Sequence, residues 1–133
     1  MAQTGTQVVP AAIAVATGIA SWELVRQLGH RREAWDDPIY WQLGYPLLVI
    51  AAFVLGLIWR EAPWRWVVWM MGGQVAWSLL LATIYDGVPN LFPLGLAMFA
   101  GLGLPCLVAA YAGRWLSGRA QAADGRWRRG MRP

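Results

Sequence analysis

The chain is 133 residues long, with 58% hydrophobic residues, only 14% charged residues and a formal net charge of +4. A soluble domain carries roughly 25% charged residues, spread along the wet face of every helix. Here the charges are clustered, and Ile39–Trp59, Trp66–Tyr85 and Leu91–Gly113 hold no Asp, Glu, Arg or His at all, which argues against a water-soluble bundle. Each stretch meets the requirement of about 20 predominantly apolar residues to cross a hydrocarbon core of about 30 Å.

The first candidate span, Val8–Leu28, is alanine-rich and carries Glu23 and Arg26 near its end. Its eight Val, Ile and Leu residues offset those charges, because Glu23 and Arg26 lie i, i+3 on one helix face and sit where side chains can snorkel. Met1–Gln7 lacks the positive charge of a signal-peptide n-region. A polar connection, Gly29–Asp37, leads to Asp37-Pro38, a helix start: Asp accepts from free first-turn N–H groups, and Pro lacks the N–H that would go unsatisfied. The second span ends at Trp59, with Pro46 expected to bend it near its start. The short connection Arg60–Arg65 makes the second and third helices antiparallel neighbours. The third span is Trp66–Tyr85. The turn Asp86–Asn90 follows, with Asn90 an N-cap for a fourth span, Leu91–Leu116, which Pro105 is expected to kink.

The sequence therefore predicts an all-α integral membrane protein, a four-transmembrane-helix bundle with short loops over residues 1–116. Its spans lie at about 8–28, 39–59, 66–85 and 91–116. An Arg-rich tail, 117–133, has too little apolar surface to fold alone and is expected to be disordered.

All eleven basic residues are Arg, which fits a GC-rich bacterial genome. With four spans, Arg60, Arg65, Arg114, Arg119, Arg126, Arg128, Arg129 and Arg132 share one side, against Arg26, Arg31 and Arg32 on the other. The positive-inside rule then predicts a multi-pass protein of the bacterial cytoplasmic (inner) membrane with both termini cytoplasmic. Were the first segment not to span, the N-terminus would move outside. Trp22, Trp35 and Trp41 fall near the outer interface and Trp59, Trp64, Trp66 and Trp115 near the inner one, the depth indole prefers. Trp69 and Trp77 fall deeper, as packing or lipid-facing residues.

Small residues recur four apart at Ala12/Ala16/Ala20, Ala14/Gly18, Ala52/Gly56, Gly72/Ala76 and Ala97/Gly101, ridges that let helix backbones approach closely within the bundle or against another subunit. Gln74, near the middle of the third span, calls for a hydrogen bond across the bundle, or to the Gly101 carbonyl freed by Pro105. Glu23, Arg26 and His30 share a helix face, and with Asp36 and Asp37 they form a candidate polar cluster on the outer side. Its simpler reading is an ion-paired cap on one helix and an N-cap on the next. Arg119, Arg126, Arg128 and Arg129 are candidate contacts to anionic lipid headgroups. One His cannot give bis-His haem ligation, no paired-ligand spacing suggests a metal, and no base accompanies Ser or the single Cys106. No cofactor, no nucleic acid partner and no catalysis are expected. The reading that follows is a non-catalytic accessory or structural subunit of a membrane complex, or a homo-oligomer. The alternative is a small transporter or channel using Glu23 and the outer cluster.

Overall fold

The computed structural model describes residues 4–29, 34–85 and 92–130. Among them every regular element is helical: α1 (Thr4–Leu28), a 3₁₀ turn (Ala34–Asp36), a π-helical turn (Tyr40–Gly44) running into α2 (Tyr45–Ile58), α3 (Pro63–Tyr85) and α4 (Phe92–Gly130). Four helical stretches are long and apolar enough to cross a membrane, within α1, α3 and α4 and, for the second, over Tyr40–Ile58, where the π turn and α2 run together.

The start of the second helix follows the Asp-Pro logic. Asp37 Oδ1 accepts from the Ile39 N–H at 2.9 Å. The bend expected at Pro46 takes the form of the π turn: the Tyr45 N–H reaches back five residues to the Tyr40 carbonyl. In a regular helix the Pro46 ring would press on the carbonyl four residues earlier, and the wider turn relieves that crowding. At the other end of α2, Trp59 leaves helical geometry. Its carbonyl, orphaned by the helix end, accepts from the Trp66 indole at 3.0 Å. Ala62 then takes a left-handed conformation (φ 48°), and its carbonyl accepts from the Arg65 N–H at 3.0 Å.

The packing differs from the expected order. α1 packs chiefly on α3, and α2 on α4; α3 meets α4 and α1 meets α2 along the other two sides. Thus α2 and α3, joined by the shortest connection, touch only across a diagonal. Helix axes 8–10 Å apart have diagonals of about 11–14 Å, and the residues from Trp59 to Ala62 reach about 13 Å when extended. The short loop therefore fixes antiparallel direction without fixing adjacency. Small residues fix adjacency instead. A Cβ on Gly18 would collide with the Met70 carbonyl, and one on Gly73 with the Val15 carbonyl, so α1 and α3 meet backbone to backbone. Gly56 against Ala110 and Gly113 against Phe53 do the same for α2 and α4.

Two buried clusters fill the interior. The larger draws on all four helices through Ala14, Leu48, Ala52, Leu55, Met70 and Cys106, with Trp66 beneath. The second lies at the end where α1 finishes. There Trp22, Trp35 and Phe99 meet at ring-centroid distances of 5.2–5.7 Å. Trp22 and Trp66 are each only 3% exposed, so these two tryptophans are core residues rather than members of an interfacial belt. Trp41, Trp64 and Trp115 do face outward. The bundle's outside is apolar, with Ile50, Val68, Leu104 and Val108 all more than half exposed.

The fourth helix also corrects the expected boundary at Leu116. It continues through Pro105 and on to Gly130, 39 residues in all. Burial is not needed for this. Residues 119–123 read RAQAA, all strong helix formers with no proline to stop them, and a long helix already nucleated needs only propagation. The turn at residues 86–90 and the expected Asn90 cap lie outside the described residues.

Because a methyl group at Gly56 meets backbone rather than a movable side chain, Gly56→Ala is expected to destabilise the bundle by about 1–3 kcal/mol. Gly101→Ala, with nothing within 4 Å of the new carbon, is expected to be neutral or stabilising by up to about 1 kcal/mol. Thermal unfolding of the purified variants in one detergent checks both.

Candidate functional site

The polar groups of the chain divide among three places. The first is the end of α1. Glu23 and Arg26 form the expected i, i+3 pair: Arg26 Nη2 donates to Glu23 Oε1 at 2.7 Å and Arg26 Nε to Oε2 at 2.9 Å. Gln27 Nε2 adds a bond at 3.0 Å, one turn along. A fourth donor comes from another helix: the Trp77 indole N–H reaches Glu23 Oε2 at 3.2 Å. Both carboxylate oxygens are thus occupied, and the charge is held half-buried between α1 and α3. No local signal in the sequence pairs Trp77 with Glu23; the contact follows from α1 and α3 packing together.

Among the described residues, the partners of Glu23 include neither of the other carboxylates of the proposed outer cluster. Asp37 is buried at the start of the second helix, against Gly29, where a side chain would displace its carboxylate. Asp36 is exposed on the 3₁₀ turn. His30 lies outside the described residues, as do Arg31, Arg32 and Glu33. Among the described residues no three His, Cys, Asp or Glu side chains come together. The geometry is that of an ion-paired helix end beside an N-cap.

The second place is the bundle interior. Gln74 is fully buried, and it faces Tyr40 rather than the Gly101 carbonyl: the Tyr40 hydroxyl donates to Gln74 Oε1 at 3.4 Å, a long and weak bond. Gln74 Nε2 has no hydrogen-bond partner among the described residues. Nearby, the Ser21 hydroxyl donates to the Gly44 carbonyl at 2.9 Å and the Tyr45 hydroxyl to the Leu102 carbonyl at 3.0 Å. The π turn makes this group possible. Five residues of α-helix would set Tyr40 and Tyr45 about 140° apart. The wider turn brings both inward, with ring centroids 6.2 Å apart. Nothing in the residue types announces a π turn, so neither tyrosine stands out in the sequence.

The third place is the end of the bundle where α2 finishes and α4 runs on. An open groove of about 530 Å³ is lined by Arg60, Tyr111, Arg114, Trp115, Gly118 and Arg119. The Arg119 guanidinium lies 3.8 Å from the centroid of the Trp115 ring. Arg60 crosses from the end of α2 and donates to Gln121 Oε1. Gly118 makes room for that crossing, since a Cβ there would sit 3.3 Å from Arg60 Nη2. Of the arginines proposed to meet lipid, Arg119 lines this groove; the side chains of Arg126, Arg128 and Arg129 lie outside the described residues. Arg60 and Arg114 join Arg119, a grouping the sequence separates by more than fifty positions.

Comparison of the chain with protein-family models, with curated proteins and with solved structures finds no match in any of the three. The site must be read from its own chemistry.

Two expectations follow. Replacing both Tyr40→Phe and Gln74→Met removes the long bond and the orphaned amide together, and is expected to leave stability unchanged or raised. Gln74→Met alone also removes the amide but strands the Tyr40 hydroxyl, and is expected to be less stable than the double variant by about 1 kcal/mol. A thermal-unfolding cycle of Glu23→Gln with Trp77→Phe should show a coupling of about 1 kcal/mol; additive effects would remove the indole–carboxylate bond from the description.

Proposed function

We propose that the chain is a multi-pass protein of the bacterial cytoplasmic membrane, with both termini in the cytoplasm. It acts there as a non-catalytic subunit that docks on a further transmembrane helix, of its own copy or of another membrane protein. Lipid is the solvent that suits its surface: large exposed side chains such as Ile50, Leu104 and Val108 form a continuous apolar exterior that water would penalise. The hydroxyls of Thr17, Ser78 and Thr83 bond back to carbonyls three or four residues earlier, which satisfies them without water.

The observation that carries the assembly reading is how the small-residue ridges divide. Ala14/Gly18 and Ala52/Gly56 are buried and spent on the bundle's own seams. Ala12/Ala16/Ala20, Gly72/Ala76 and Ala97/Gly101 face outward, and nothing lies within 4 Å of a Cβ on Gly72 or Gly101. Small residues facing lipid lose dispersion contacts that another helix could supply, and backbone proximity is what such ridges offer in a membrane. Glu23 accepts three hydrogen bonds from Arg26 and Gln27 of its own helix and one from Trp77 of α3, and a carboxylate so fully engaged supports a structural role over ion transport.

The test is assembly size. Gly72→Leu and Gly101→Leu begin in open space, with nothing within 4 Å of the new Cβ, and are expected to unfold at the temperature of the intact chain. They are expected to convert a larger particle into a monomer, as read by native mass spectrometry from mild detergent and by cross-linking in membranes. A monomeric intact chain with no cross-linked partner, or a liposome flux that Glu23→Gln abolishes, would overturn the proposal.

A further inference from the structure

We propose that the groove between the end of α2 and the extension of α4 binds the phosphate of one anionic phospholipid. The proposal goes beyond the assembly reading and depends only on the chain lying in a bilayer. Three guanidinium groups line the groove, those of Arg60, Arg114 and Arg119. Among the described residues none of them has a carboxylate within ion-pair distance; the ion pair among those residues is Glu23–Arg26, at the far end of the bundle. Guanidinium forks match phosphate oxygens in pairs, which is why arginine rather than a single point charge suits this ligand.

Two of the three are held before any ligand arrives. Arg119 is stacked on the Trp115 ring, and Arg60 is tied to Gln121 across the space left by Gly118. Immobilised donors lose less freedom on binding. The depth also fits a headgroup. From Pro93, where the apolar window of α4 begins, to Arg114 is about 32 Å of helix at 1.5 Å per residue, close to the roughly 30 Å of hydrocarbon.

The surface below the groove selects a lipid over a free phosphate ester. Trp115, Tyr111, Val108 and Leu104 recur at spacings of four, three and four, so they form one stripe along α4. All four are exposed, Val108 by 71% and Leu104 by 62%. A phosphate seated among the arginines therefore has an apolar track leading from it toward the bundle's middle, where an acyl chain would lie.

The full chain, in mild detergent, is titrated with phosphatidylglycerol and the retained lipid counted by native mass spectrometry. One lipid per chain is expected. Arg60→Gln with Arg119→Gln should weaken retention about 25-fold, at about fivefold per guanidinium. Arg126→Gln with Arg128→Gln, which removes the same charge from the tail, should change it by no more than about twofold. Gly118→Leu keeps every charge but obstructs Arg60, and should weaken retention as the groove pair does; Arg60→Lys, a milder change, should fall between. Each variant is first shown to unfold at the temperature of the intact chain. Equal loss in the tail pair, indifference to Gly118→Leu, equal retention of phosphatidylcholine, or competition by glycerol phosphate as effective as the intact lipid would each overturn the assignment.

Discussion

Backbone contact across two glycine seams is the constraint from which the rest of the structure follows. In the bilayer proposed for this chain, burial between apolar helices supplies little drive, and close packing must supply the difference. Gly18 and Gly73 bring α1 and α3 together, and Gly56 and Gly113 bring α2 and α4 together. These two pairs are the bundle's strongest contacts, and they override chain order by setting α2 and α3 on a diagonal. Once the pairs exist, the positions of the polar groups are determined. Trp77 arrives at Glu23 because α3 lies on α1, and Arg60 arrives at Gln121 because α2 lies on α4.

The polar chemistry is correspondingly economical. Where a hydroxyl or carboxylate falls within an apolar helix, it finds a carbonyl, an indole or a guanidinium from the chain itself. Ser21, Tyr45 and Glu23 all follow this pattern. Gln74 is the exception, with one amide nitrogen left over in a fully buried position. An unmet donor at that depth is costly, and the long bond to Tyr40 repays little of it. Its retention marks a place where packing between α1, α2 and α3 has outweighed hydrogen-bond geometry.

How far the sequence carried the fold can be judged residue by residue. The four apolar helices and the Asp37-Pro38 start were legible, because absence of charge and cap chemistry are local properties. The Glu23–Arg26 pair was legible for the same reason, being three residues apart. What escaped depended on partners distant in the chain. Trp22 and Trp66 read as interfacial by depth alone, yet their rings point into the bundle; depth along a helix says nothing about azimuth. The five small-residue ridges looked equivalent, and only packing separates the buried from the outward ones. The tail read as disordered because it lacks apolar surface, whereas a helix already formed extends through Arg, Ala and Gln with no core to bury.

That extension has a mechanical consequence. At 1.5 Å per residue, the 39 residues of α4 make a rod of about 58 Å, roughly twice the hydrocarbon thickness. With one half lying in the bilayer, as proposed, the other projects from it, and the unbroken helix makes the projecting half a pointer for the embedded one. A change of ten degrees in the tilt of the span would swing the tip sideways by about 5 Å, turning a small rearrangement within the lipid into a displacement large enough to make or break a contact outside it.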